Sequence, residues 1–182
     1  MSYARDVIAG IAGYVPGEQP GDKPIIKLNT NENPYPPAAG LGEVLRSFPY
    51  ERLRLYSEPS ARMVREAASV VYGIAPEQIL CGNGSDDLLT IALRTFVDQS
   101  GALAYTDPSY SLYPVLADLQ GAIRRPVPLD EHFELPENAA ELAGDAKLFL
   151  LARPNAPTGN SFPIERVERL CRAFPGVVWI DE

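Results

Sequence analysis

The sequence predicts an α/β fold with a mostly parallel sheet, preceded by an extended N-terminal arm. Three observations carry that expectation. From residue 78 onward, short apolar runs alternate with stretches of helical periodicity, the pattern of strands and helices laid down in turn. One run, Lys147-Leu-Phe-Leu-Leu-Ala152, is apolar throughout rather than alternating, as in a strand covered on both faces. Residues 1–40 are rich in Pro, Gly and Asn, as in Tyr14-Val-Pro-Gly-Glu-Gln-Pro20, Leu28-Asn-Thr-Asn-Glu-Asn-Pro34 and Pro36-Pro37. Prolines at that density forbid a long helix, so this stretch reads as an arm crossing some other surface.

Ala61 to Tyr72 predicts a helix, because Met63, Ala67, Val70 and Val71 fall on one side of a 3.6-residue repeat. Gln78 to Cys81 reads as a short strand, and Ser85 to Val97 as a helix with an almost wholly apolar body. Ala102 to Tyr105 reads as a strand, leading into the turn Thr106-Asp-Pro-Ser109. Tyr110 to Leu119 is an expected helix and Ala122 to Pro128 an expected strand. After the strand at 147–152, Ile164 to Phe174 predicts a helix and Val177 to Ile180 another buried strand. There are no internal repeats and no low-complexity tails.

Composition narrows the function classes. With 182 residues the chain is long enough for one domain with a real core. A formal net charge of -8 argues against nucleic acid or an anionic membrane surface as partner. Cys81 and Cys171 form no metal-spaced pair, and the single histidine, His132, leaves no ordinary zinc set, so no metal is expected. The two cysteines read as reduced thiols in a cytoplasmic protein. The apolar stretch Val7 to Val15 is too short for a signal-peptide core and lacks a cleavage site, and nothing is long enough to span a membrane.

Four segments carry candidate chemistry, each at an expected strand end. In Cys81-Gly-Asn-Gly-Ser-Asp-Asp87, two glycines allow a tight turn and Ser85 or Asp86 can cap the helix start. Unpaired N–H groups and the helix dipole there can seat a phosphate, although a capped turn without ligand has the same signature. Asp87 stands where a dinucleotide fingerprint needs its third glycine, and no Gly-Lys-Ser/Thr comes after it, so neither nucleotide motif is present. In Asp107-Pro-Ser-Tyr-Ser-Leu-Tyr113, a tyrosine just past a strand can stack on a flat aromatic ligand or simply pack at a core edge. Arg153-Pro-Asn-Ala-Pro-Thr-Gly159 is a constrained loop in which Asn155 offers both donor and acceptor. In Trp179-Ile-Asp-Glu182, carboxylates come directly after an apolar strand, where a metal, a cationic ring nitrogen or a helix N-terminus could compensate their charge.

In this order, the four segments resemble fold-type I aminotransferases dependent on pyridoxal 5'-phosphate (PLP). The arm narrows the likeness: Tyr14–Pro20 and Lys27–Pro34 resemble the start of histidinol-phosphate aminotransferases, and Leu55–Ala61 resembles their Arg-Tyr-Pro-x-Pro segment. The resemblance implies a three-layer α/β/α large domain over residues 41–182, incomplete and truncated after the Asp-Glu pair, with residues 1–40 as its arm. It implies that Gly84, Ser85 and Asp86 hold the PLP phosphate, that Tyr110 stacks on the pyridine ring, and that Asp181 pairs with the ring nitrogen. Asn155 would bond the cofactor's 3-oxygen in place of the family's asparagine, whose position is taken by Ala156. Tyr56 would reach the cofactor phosphate of a second subunit in a homodimer, and Tyr14 would help close over the substrate. Leu55 and Ser57 replace the arginine and proline that flank that reaching tyrosine in the family.

The implied reaction is transfer of an amino group between an L-amino acid, histidinol phosphate being the specific expectation, and 2-oxoglutarate. The family's Schiff-base lysine lies downstream of the Asp-Glu pair. The lysines here are Lys23, Lys27 and Lys147, none at a suitable place. The expectation is therefore a fragment of an enzyme, with no catalytic residue of its own, an exposed apolar sheet edge and no turnover in isolation. A PLP-dependent decarboxylase or lyase of the same fold, and a non-catalytic binding module, remain as alternatives.

Overall fold

The structure is a computed structural model that describes residues 3–11, 26–29 and 32–182. The chain divides into two compact units, Met1–Tyr14 with Gly82–Glu182, and Val15–Cys81.

The first unit is built on four strands, β1 (Ala102–Asp107), β2 (Ile123–Pro128), β3 (Leu148–Ala152) and β4 (Val177–Asp181). They form one sheet in the order β2-β1-β3-β4, with every pairing parallel. The alternation along the central strands decides the layers. Leu103, Tyr105, Leu148, Leu150 and Ala152 pack on one face with α4 (Ser85–Phe96) and α5 (Leu112–Gln120). Ala102, Ala104, Phe149 and Leu151 pack on the other with α6 (Ala139–Leu142) and α7 (Ile164–Ala173). The expected three layers are present. The connection that runs leftward, β1 to β2, uses one face, and those that run rightward use the other, as crossovers of constant hand require.

β3 is buried along its whole length, as its unbroken apolar run predicts. β4 forms where a strand is expected, and it is half-buried with Ile180 exposed, the exposed apolar edge expected there, since β3 is its one strand neighbour among the described residues. At the opposite edge, β2 carries Pro126 and Pro128, which an outer strand tolerates because one row of its N–H groups has no ladder to serve. Its Arg124 and Arg125 pair with Asp118 and Asp145, charges that discourage further strand addition.

In the second unit, α3 (Arg62–Tyr72) occupies the expected span, but none of its residues is buried, and Met63, Val70 and Val71 stand exposed. Residues 78–81 do not form the expected strand. Pro76–Gln78 is a single 3-10 turn, and residues 79–81 pair with no strand. The short helix α2 (Leu41–Ser47) was not legible in the sequence, and neither was the single turn α1 (Asp6–Ala9), which interrupts the expected extended arm. Residues 1–2, 12–25 and 30–31 of that arm, Tyr14 among them, lie outside the described residues.

Candidate functional site at the carboxyl rim of the sheet

The sheet order places a crevice between β1 and β3. The chain leaves β1 toward β2 and later returns past β1 to form β3, so the segments after these two strands diverge at their carboxyl ends. Three of the four candidate segments emerge at that rim, and the start of α4 joins them.

The turn into α4 depends on one glycine. Gly84 has φ +87° and ψ 170°, a conformation that a side chain disfavours strongly. No side chain caps α4. Among the described residues, the N–H groups of Ser85, Asp86 and Asp87 meet no acceptor, which leaves a cluster of donors at the positive end of the helix. Asp87 is turned away from this cluster, since its Oδ2 accepts the N–H of Asn83 at 3.0 Å. Asp86 Oδ1 accepts from Tyr110 Oη at 3.5 Å, which ties the helix start to the segment after β1.

Tyr110 packs edge-on against Tyr113, with ring centroids 5.6 Å apart and planes at 87°. Tyr113, in the first turn of α5, is fully buried. Its hydroxyl donates to Asp181 Oδ2 at 2.9 Å, joining α5 to the last residue of β4. Burial first, and the Asp181 carboxylate second, push the Tyr113 phenol far above its ordinary range, so it remains a donor. Reading the sequence alone assigns this tyrosine no role. Its signal there is a second aromatic three residues after Tyr110, one helical turn further on and so on the same side.

Asn155 is buried, and its side chain is a junction. Its Oδ1 accepts from Ser109 Oγ at 2.8 Å, while Nδ2 donates to Pro108 O at 3.0 Å and to Thr158 Oγ1 at 2.8 Å. Both amide hydrogens are thus committed inside the protein, and none remains for a ligand oxygen. Thr158 in turn donates to Asn160, and Asn160 Nδ2 donates to Phe133 O at 2.8 Å. The loop after β3 is therefore laced both to the loop after β1 and to the segment after β2. Arg153 completes the rim, donating from Nε to Phe162 O at 3.0 Å and lying 3.9 Å from Glu182.

An open hollow of about 500 Å³ lies beside this site, against Asp107, Tyr110, Arg124 and Pro157. Neither α4 nor Asp181 lines it, so the hollow and the donor cluster are different places. Of the expected site residues, Gly84, Ser85, Asp86, Tyr110, Asn155 and Asp181 all fall in the first unit at the carboxyl rim or the start of α4. Tyr56 belongs to the second unit, on a loop, with its ring fully exposed. No group of His, Cys, Asp and Glu with metal-binding geometry occurs among the described residues, and no helix there is long and apolar enough to cross a membrane.

Comparison with known proteins bears on family and fold. Residues 23–182 match the family model for aminotransferase class I and II. A histidinol-phosphate aminotransferase of Rippkaea orientalis is 44% identical over 178 residues, which are 98% of this chain and 50% of the relative. One from Chromohalobacter salexigens is 46% identical over 93% of this chain and 48% of its own length. The chain thus spans about half the length of the curated relatives it matches. Among solved structures, a histidinol-phosphate aminotransferase from Sinorhizobium meliloti in complex with pyridoxal-5'-phosphate superposes with TM-score 0.75 at 24% identity, covering 84% of this chain and 42% of its own. A Thermus thermophilus aspartate aminotransferase tetra mutant superposes over the whole of this chain and 51% of its own, with TM-score 0.81 at 19% identity. At such identities the superpositions establish likeness of fold alone. By its sequence, this chain belongs to the aminotransferase class I and II family.

Proposed function

We propose that the protein carrying this chain is a PLP-dependent aminotransferase, passing an amino group between histidinol phosphate and 2-oxoglutarate. Within it, residues 41–182 are part of the cofactor-binding large domain, and residues 1–40 are an arm. The observation that carries the reading is the convergence at one rim of an uncapped helix start, an aromatic ring and a carboxylate, joined by the Tyr110–Asp86 and Tyr113–Asp181 hydrogen bonds.

The donor set fits the cofactor. Three N–H groups without acceptors at the head of α4 suit a phosphate, which this turn would bind by hydrogen bonds and helix dipole, having no Lys or Arg of its own. Gly84 provides the backbone turn that exposes them. Tyr110 covers a ring face. Asp181 holds the proton on the ring nitrogen, its other oxygen already engaged by Tyr113. Bound PLP supplies an electron sink, which is effective only while that nitrogen stays protonated. Asn155, with both hydrogens spent, serves the cofactor by fixing the rim rather than by donating to the 3-oxygen. Tyr56, exposed on its loop, is free to reach a cofactor phosphate in the second subunit of a homodimer, and Tyr14 closes over the substrate.

Transamination also needs a lysine amine at the cofactor. Lys147 sits just before β3, at the amino end of the sheet and opposite the site, and Lys27 pairs with Glu32. Lys23 lies outside the described residues. The 182-residue chain alone is therefore expected not to turn over substrate. Equilibrium dialysis against PLP tests the cup. Asp181→Asn is expected to weaken binding about tenfold or more, the size of a lost hydrogen bond between charged partners. Unchanged affinity in that variant, or transamination of histidinol phosphate by the 182 residues alone, would contradict the reading.

A further inference from the structure

The Asp181 carboxylate has one hydrogen-bond partner among the described residues, and that partner is unusual in kind. Tyr113 is fully buried, yet its polar atom is not left to solvent or to a backbone carbonyl. It is spent on a carboxylate 68 positions away in sequence, across the boundary between α5 and the sheet edge. A buried phenol can fill a core equally well as phenylalanine, so a hydroxyl in this place needs a use. Asp181 is the last residue of β4, half-buried at the carboxyl end of the strand. Tyr113 itself has little freedom. It is wedged among Tyr105, at 6.3 Å, and Tyr110, at 5.6 Å, within the α4–α5 core.

We propose that Tyr113 is a positioning residue for the cofactor, pinning Asp181 Oδ2 so that Oδ1 is the carboxylate oxygen presented to the ring nitrogen. The inference rests on the PLP reading above and extends it to a residue that touches no ligand. The same ring also abuts Tyr110, so one rigid side chain sets both the carboxylate and the stacking ring. Because the phenol holds its proton, it donates to Asp181 and cannot compete with it for the proton of the ring nitrogen.

The test is a ligand cycle read by equilibrium dialysis, with no turnover required. PLP is compared with its analogue in which the ring nitrogen is replaced by C–H, in the wild-type chain and in Tyr113→Phe. The wild type is expected to prefer PLP by about tenfold or more, and Tyr113→Phe to lose most of that preference while binding the carbon analogue as before. Equal affinities in the wild type would overturn the assignment of Asp181 to the ring nitrogen, and this inference with it. A wild-type preference that survives intact in Tyr113→Phe, or an equal loss for both ligands, would overturn the positioning role alone. Should Tyr113→Phe not fold, 3-fluorotyrosine placed at position 113 keeps the hydroxyl and reports by fluorine NMR. Its resonance is expected to shift with PLP and not with the carbon analogue; identical shifts with both would again refute the inference.

Discussion

Asn155 makes three side-chain hydrogen bonds, and all of them are internal. Replacing it by alanine leaves Ser109 Oγ without its acceptor and Pro108 O and Thr158 Oγ1 without its donors, and opens a cavity. The expected cost is about 2–4 kcal/mol, measured as a drop in the midpoint of urea unfolding, well beyond an ordinary surface change. Local sequence reasoning can say that Asn155 sits in a constrained loop and can both donate and accept. It cannot say that both hydrogens are used within the protein, because Ser109 and Pro108 lie in a different segment, 46 and 47 positions earlier. The same limit hides Tyr113. Its partner, Asp181, is brought to it only by the fold.

At the scale of elements, burial separates what was legible from what was not. β3 was plain, because a strand with two buried faces must be apolar at every position. β4 has an equally apolar sequence, Val-Val-Trp-Ile, and is half-buried; its apolar run marks a strand, and the exposed edge expected there is what the structure shows. α3 shows the converse: its periodicity marks a helix correctly while its apolar residues stand exposed. The start of α3 also carries a device that the sequence did not announce. Ala61, before the helix, cannot cap it, and Glu58 substitutes, accepting the Arg62 N–H at 2.7 Å. That bond, and after it the Ser60 hydroxyl, holds the Glu58 carboxyl below its usual range. A lowered folded-state pKa contributes stability above the ordinary carboxylate pKa, and the contribution disappears as pH falls through the lowered value. Exchange of the Arg62 amide hydrogen, tracked by NMR, is therefore expected to quicken, relative to its neighbours, as the solution is acidified through that range. Glu58→Gln should flatten the response.

For the whole molecule, net charge governs encounter. The chain carries a formal charge of -8, and the proposed cofactor is itself anionic through its phosphate. The first turn of α4 carries Asp86 and Asp87, with no basic side chain in it to offset them. Like charges slow association, and salt screens them over about 10 Å at roughly 0.1 M. Stopped-flow measurement is therefore expected to show the association rate of PLP rising severalfold from low to moderate ionic strength. A rate that falls with salt would mean that the approach is governed by positive charge, and would argue against this chain's rim as the entry.

The hydrogen bonds that run from Ser109 through Asn155, Thr158 and Asn160 to Phe133 join three separate loops into one strap across the ends of β1, β2 and β3. A strap of this kind has no independent links. Loosening the segment near Phe133 would release Asn160, then Thr158, then the amide that braces the Ser109 loop beside Tyr110. Local opening at this rim should thus be cooperative, so that the floor under a bound ring is either entirely in place or entirely absent, and loops lying on different sides of the sheet breathe on a single clock.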